Sequence, residues 1–68
     1  MYSIKYYDIF GHILYVDLFD DYKSAKKHFR FLNNIDIFDF FDYSKIVLYD
    51  LVGFKTLEVL ENDFCSKS

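Results

Sequence analysis

Two histidines, one cysteine and eleven carboxylates are the side chains of this 68-residue chain best suited to bond-making chemistry. A nucleophilic centre needs a Ser, Cys or Thr beside a base that a third group orients. His12 stands next to a glycine and His28 inside a lysine-rich stretch, and neither falls in a motif that would position a nucleophile. Cys65 is the one thiol, so an internal disulfide is excluded, and no Cys/His cluster has the spacing of a zinc site. It lies fourth from the C-terminus, but the Ser66-Lys67 that follows departs from the aliphatic pair of a prenylation signal and reads as part of a frayed tail. A calcium loop needs alternating Asp/Asn, a central Gly and a closing Glu. Asp36, Asp39 and Asp42 are spaced by threes instead and have no Gly among them. Catalytic residues, metal ligands and cofactors are therefore expected to be none, and the chain reads as a non-enzyme.

The same side chains are better placed for recognition. Residues 22–33 carry four basic groups, Lys23, Lys26, Lys27 and Arg30, and no acidic one. The rest of the chain holds four basic against eleven acidic residues, and the whole carries −3. One helix face is thus basic on an otherwise acidic molecule, which gives bulk electrostatics no reason to favour nucleic acid. Phe and Tyr make up 24% of the residues and the hydrophobic set 53%, so disorder is excluded. A 68-residue domain builds one modest core, and nine Phe with seven Tyr exceed what one helix on one sheet face accommodates. The surplus either folds back over the sheet to close the small core or forms an apolar surface that engages a partner or a second copy. The segment with Asp36, Phe38, Asp39, Phe40, Phe41 and Asp42 combines anchors with carboxylates, and Tyr7, Tyr15 and Tyr49 are expected to point outward beside Val47 on the open sheet face.

These residues need a scaffold. Tyr2, Ile4 and Tyr6 share one strand phase and Leu14, Val16 and Leu18 another, with a hairpin turn at Gly11 between them. Asp20-Asp21 supplies a helix N-cap, and Tyr22, Ala25, Phe29 and Leu32 form an apolar stripe at helical spacing. Asn33-Asn34 is expected to close that helix in a left-handed conformation. Residues 35–42 are ambiguous: β propensity opposes a helical arc of Ile37, Phe38, Phe40 and Phe41, and periodicity favours a short helix. Residues 45–51 and 54–60 repeat the strand pattern around Gly53. Tyr49-Asp50-Leu51-Val52-Gly53 matches Tyr7-Asp8-Ile9-Phe10-Gly11 at an offset of 42. The expected architecture is α+β, ββα(α)ββ: an antiparallel sheet of two hairpins with one helix packed on one face, a single domain over residues 1–61 and a frayed tail over 62–68. No apolar run is long enough to span a membrane and no leader is evident, so a cytoplasmic location is expected.

The run Tyr6-Tyr7-Asp8-Ile9-Phe10-Gly11-His12-Ile13, followed by Asp20-Asp21-Tyr22-Lys23-Ser24-Ala25, resembles small ββα-type proteins encoded by phages and mobile elements. The resemblance implies an inhibitor of a host defence protein or enzyme that acts by direct binding, in the host-cell cytoplasm. It carries no functional positions of its own. The expected function is a protein-binding module whose partner is another protein, a basic or nucleic-acid-binding one being the natural match to the carboxylates. Two alternatives stand beside it: a homodimeric, antitoxin-like regulatory module, and a nucleic-acid binder that uses Lys23, Lys26, Lys27 and Arg30.

Overall fold

In the computed structural model, which describes residues 1–62, the chain forms β1 (Tyr2–Tyr7), β2 (Ile13–Phe19), α1 (Tyr22–Asn34), α2 (Ile37–Phe40), β3 (Lys45–Asp50) and β4 (Lys55–Glu61). All strand pairs are antiparallel, in the order β2-β1-β3-β4. The two hairpins therefore lie side by side, joined by β1 and β3 at the centre. The α+β, ββα(α)ββ architecture is as the alternation and the helical stripe indicate. The expectation of a frayed tail, and Cys65 with it, falls from residue 63 onward outside the described residues; Asn62 itself donates its N–H to the Ser44 carbonyl.

The core forms where α1 crosses one face of the sheet. Strand alternation puts Tyr2, Ile4 and Tyr6 on that face of β1, and the pairings Ile4↔Leu48 and Tyr6↔Ile46 put the matching residues of β3 beside them. Ala25, Phe29 and Leu32 of the helix close over these residues, and all three are buried. Tyr22, first in the stripe, stays half exposed, its ring edge-on to Tyr2 with centroids 5.6 Å apart. Asp21 caps the helix by accepting from the Ser24 N–H at 3.0 Å. The side-chain hydroxyl of Ser24 and then its N–H hold the Asp21 carboxyl below the usual aspartate range.

Three local expectations are corrected. The helix runs through Asn33 and Asn34, and the left-handed residue is Asp36 (φ 53°), just before α2. Asp, like Asn, tolerates that conformation because its short polar side chain bonds locally. The short helix of residues 35–42 is a single turn over Ile37–Phe40, and its apolar arc is split. Ile37 is buried and Phe38 packs against the core, whereas Phe40 and Phe41 point away. At the second hairpin the positive φ falls on Phe54 (54°), not on Gly53. Gly53 is small for a different reason: a Cβ there would sit 2.7 Å from an Asp50 carboxylate oxygen.

The repeated Tyr-Asp-x-x-Gly sequence is explained by its aspartates. Asp8 Oδ1 accepts from the N–H groups of Phe10 and His12, both at 2.9 Å, and Gly11 (φ 84°) donates to the Asp8 carbonyl. Asp50 Oδ1 accepts from Val52 and Gly53 at 3.0 and 3.1 Å. Each carboxylate ties down the backbone donors of its own turn, as Asp does in Asx-type turns. Those bonds, from His12 and Phe10 on Asp8 and from Gly53 and Val52 on Asp50, hold both carboxyls below their ordinary range.

Candidate functional site

The first turn and α2 meet at one end of the molecule. β1 delivers Ile9 and Phe10 to that end, and α1 runs back to it and passes directly into α2 and the following loop. A groove of about 390 Å³ there is lined by Ile9, Phe10, Phe38, Phe41 and Tyr43, with Asp8 and Asp42 among its polar members. Phe10 is 76% exposed and Phe40 is 72% exposed, with Ile9 and Phe41 also largely in solvent. The patch is anchored from beneath. Phe41 stacks on Tyr43 with centroids 5.4 Å apart, and Tyr43 packs on buried Tyr6 at 4.9 Å. Phe41 is thus mounted on the core through a ladder of aromatic contacts rather than hung on a loose loop.

The residues singled out in the sequence divide among three places. Phe38, Phe41 and Asp42 line this groove, whereas Asp36 and Asp39 line a neighbouring one that Phe38 shares with Val59, Leu60 and Glu61, and Phe40 is exposed at the end of α2. Tyr7 and Tyr49 lie on the open sheet face, as alternation requires, but each ring is occupied. Lys45 Nζ sits over Tyr7 at 4.9 Å and Lys5 Nζ over Tyr49 at 4.4 Å. The lysine stems and tyrosine rings fold over one another, so Val47 and Ser3 between them are buried without a covering helix. Tyr15 contradicts its expected placement. It pairs with Tyr6 in the register and its ring packs 5.7 Å from that of Tyr6, on the helix side of the edge strand. The assumption that strand phase carries across a hairpin fails there, because the register shifts between Tyr6 and Tyr7.

Ile9 and Phe10 were missed as site residues. Turn tips are normally polar, so two large apolar side chains flanking a Gly turn were the available signal.

The basic face is where the stripe implies. Lys26 forms an ion pair and hydrogen bond with Glu58 of β4, which leaves Lys23, Lys27 and Arg30 lining the outer surface of α1 with Tyr22 and Phe31. The two histidines take part in local networks. His12 Nδ1 lies 3.6 Å from the Asp8 carboxylate. His28 Nε2 lies 3.4 Å from Asp17 Oδ2 and from the Tyr6 hydroxyl, which donates to the same Asp17 oxygen at 2.7 Å. Burial, and then that acceptor, push the Tyr6 phenol far above the usual tyrosine range. The cluster pins the outer strand to the helix; its members bond one another.

No family model matches the chain, and neither does any curated protein or solved structure. Among the described residues, no helix is long and apolar enough to cross a membrane.

Proposed function

We propose that the chain is a non-enzymatic protein-binding module whose contact surface is the aromatic end formed by residues 8–10 and 36–43. The observation that carries this reading is the exposure of Ile9, Phe10 and Phe41 together around a groove that Phe38 and Tyr43 also line, with Phe40 exposed on the adjoining turn of helix. Rings of this kind are what an interface buries at its centre, and a monomeric surface rarely concentrates them. The carboxylates of Asp8 and Asp42 line that groove, and Asp36 and Asp39 line the neighbouring one beside Phe38, so a partner with a basic rim is the complementary one. Such a rim is found on nucleic-acid-binding proteins. In the setting that the phage-type resemblance implies, the module would occlude the working surface of a host protein by direct contact, within the host cytoplasm.

The nucleic-acid reading finds less support. Lys26 is engaged by Glu58, and three remaining cations on a chain of net charge −3 form a small electrostatic footprint. Parallel affinity capture from host lysate tests the choice. Wild-type bait, Phe10→Ala/Phe41→Ala bait and a bait with Lys23, Lys27 and Arg30 reversed to Glu are compared at matched fold, verified by circular dichroism. A protein retained by wild type and by the reversed-charge bait, and lost from the aromatic variant, is the expected result. Loss from the reversed-charge bait alone would contradict the proposal.

A further inference from the structure

The two outer strands of the sheet are built differently. Each outer strand pairs with its neighbour through one register shift, but β4 also carries Lys55, Glu58 and Glu61 along its seven residues, charges that keep other strands away. β2, Ile-Leu-Tyr-Val-Asp-Leu-Phe, has one charge only, and Asp17 is turned to the helix side, where Tyr6 and His28 hold it. Ile13, Leu14, Tyr15, Val16 and Leu18 are all substantially exposed, Leu18 at 65%. A seven-residue apolar edge without Lys or Pro is a template for pairing.

The backbone fixes which groups are on offer. Leu51 donates to the Met1 carbonyl and Ser44 to the Tyr7 carbonyl, while Asp8 donates to His12. Antiparallel pairing therefore turns the polar groups of Ser3, Lys5 and Tyr7 toward β3 and those of Tyr2, Ile4 and Tyr6 toward β2. The partners of the latter set are Phe19, Asp17 and Tyr15, so the outward-pointing N–H and C=O groups in the regular part of β2 belong to Val16 and Leu18. We propose that β2 pairs antiparallel with β2 of a second copy, about a two-fold axis at Val16, and joins two four-stranded sheets into one of eight.

The choice of a second copy rests on self-complementarity in that register. Val16 faces Val16 through outward-pointing backbone groups, as a hydrogen-bonded pair requires. Val16 and Leu18, opposite Lys5 and Ser3 of β1, share the open face, so apolar residues flank the axis there. Tyr15 lies opposite Asp17, which sets a phenol, not a second carboxylate, against the strand's charge. An axis at Asp17 would face the two carboxylates directly and is disfavoured. On the helix side, Phe31 is exposed beside His28 and Phe19, with a groove of about 350 Å³ between them, so apolar surface flanks the edge above as well as below the sheet. Because the two strands run in opposite directions, the aromatic ends fall at opposite corners, and a dimer presents two contact surfaces.

Sedimentation velocity on the full chain, from about 1 to 200 µM, reads the result. Wild type is expected to reach twice the monomer mass of 8.3 kDa. Val16→Lys and Val16→Glu are each expected to weaken the dimer on the order of tenfold or more, since like charges then face across the axis. Mixing the two variants is expected to restore it, because residue 16 faces residue 16. Circular dichroism of each variant confirms a folded monomer. A wild-type monomer throughout the range overturns the proposal, as does a dimer indifferent to both variants. A mixture that fails to recover overturns the Val16 axis. Pairing of β2 with a foreign strand in place of a second copy would appear as a wild-type monomer. None of these outcomes touches the aromatic end, so that reading stands or falls separately.

Discussion

At the scale of single residues, the turns are set by side chains that bond backbone. Asp8 and Asp50 satisfy two N–H groups each, and glycine follows three residues later in both, for two different reasons. Gly11 lies at positive φ with open space around it, so Gly11→Ala should cost about 1 kcal/mol through backbone strain alone. Gly53→Ala should also destabilise, by forcing the Asp50 carboxylate off its two donors, and adding Asp50→Ala should remove most of the further effect of that substitution. Thermal melts of the single and double variants check this; a rise in melting temperature for both single glycine variants would contradict it. The lowered carboxyl groups of Asp8, Asp21 and Asp50 give a pH dependence with a definite sign. Each binds its proton less readily when folded, so the unfolded chain takes up more protons in acid. Their stabilisation is complete above the ordinary aspartate value of 3.8 and is lost as pH falls through the lower folded values. Melting temperature should therefore hold between about pH 5 and 7 and drop below about pH 4, and an Asp8→Asn/Asp50→Asn variant should show a smaller acid drop.

At the scale of elements, α1 is the piece that makes the sheet a domain. Its stripe residue Phe29 is buried against β1 and β3, and Phe29→Ala should cost about 3–5 kcal/mol. That is most of what a chain of this length has to lose, so the variant should be largely unfolded; an unchanged chemical-denaturation midpoint would mean that the helix packs through another face. This element was legible in the sequence because a cap, a stripe and a basic face all agreed. The hairpins were legible from alternation and glycine. The short helix within residues 35–42 was legible from periodicity, but its length was not, since one turn is shorter than the period that sets an element's bounds. The split of its arc depends on where Ile37 meets the core, which no local pattern encodes. The placement of Tyr15 was lost to a register shift, which moves side chains between faces without changing the order of residues. The candidate site was half visible: its α2 half stood out as aromatic and acidic, while Ile9 and Phe10 joined it only once the chain had folded back.

At the scale of the whole molecule, the surfaces sort by how far the protein covers them itself. The open sheet face is largely closed by Lys5, Lys45 and their tyrosines, and one cation of the basic face is held by Glu58. The aromatic end and the edge of β2 stay uncovered, as do Val52 and Phe54 at the second turn and Tyr22 and Phe31 on the helix, and the first two surfaces hold the largest share of the exposed apolar side chains. The most direct test of the central claim is a titration of the captured partner with wild type and with Phe10→Ala/Phe41→Ala, at low and high salt. The account predicts a loss of at least about 2 kcal/mol, roughly 30-fold in Kd, with the melting temperature near that of wild type. An unchanged Kd for that variant, with binding abolished when Lys23, Lys27 and Arg30 are reversed, would contradict it and move the working surface to the helix.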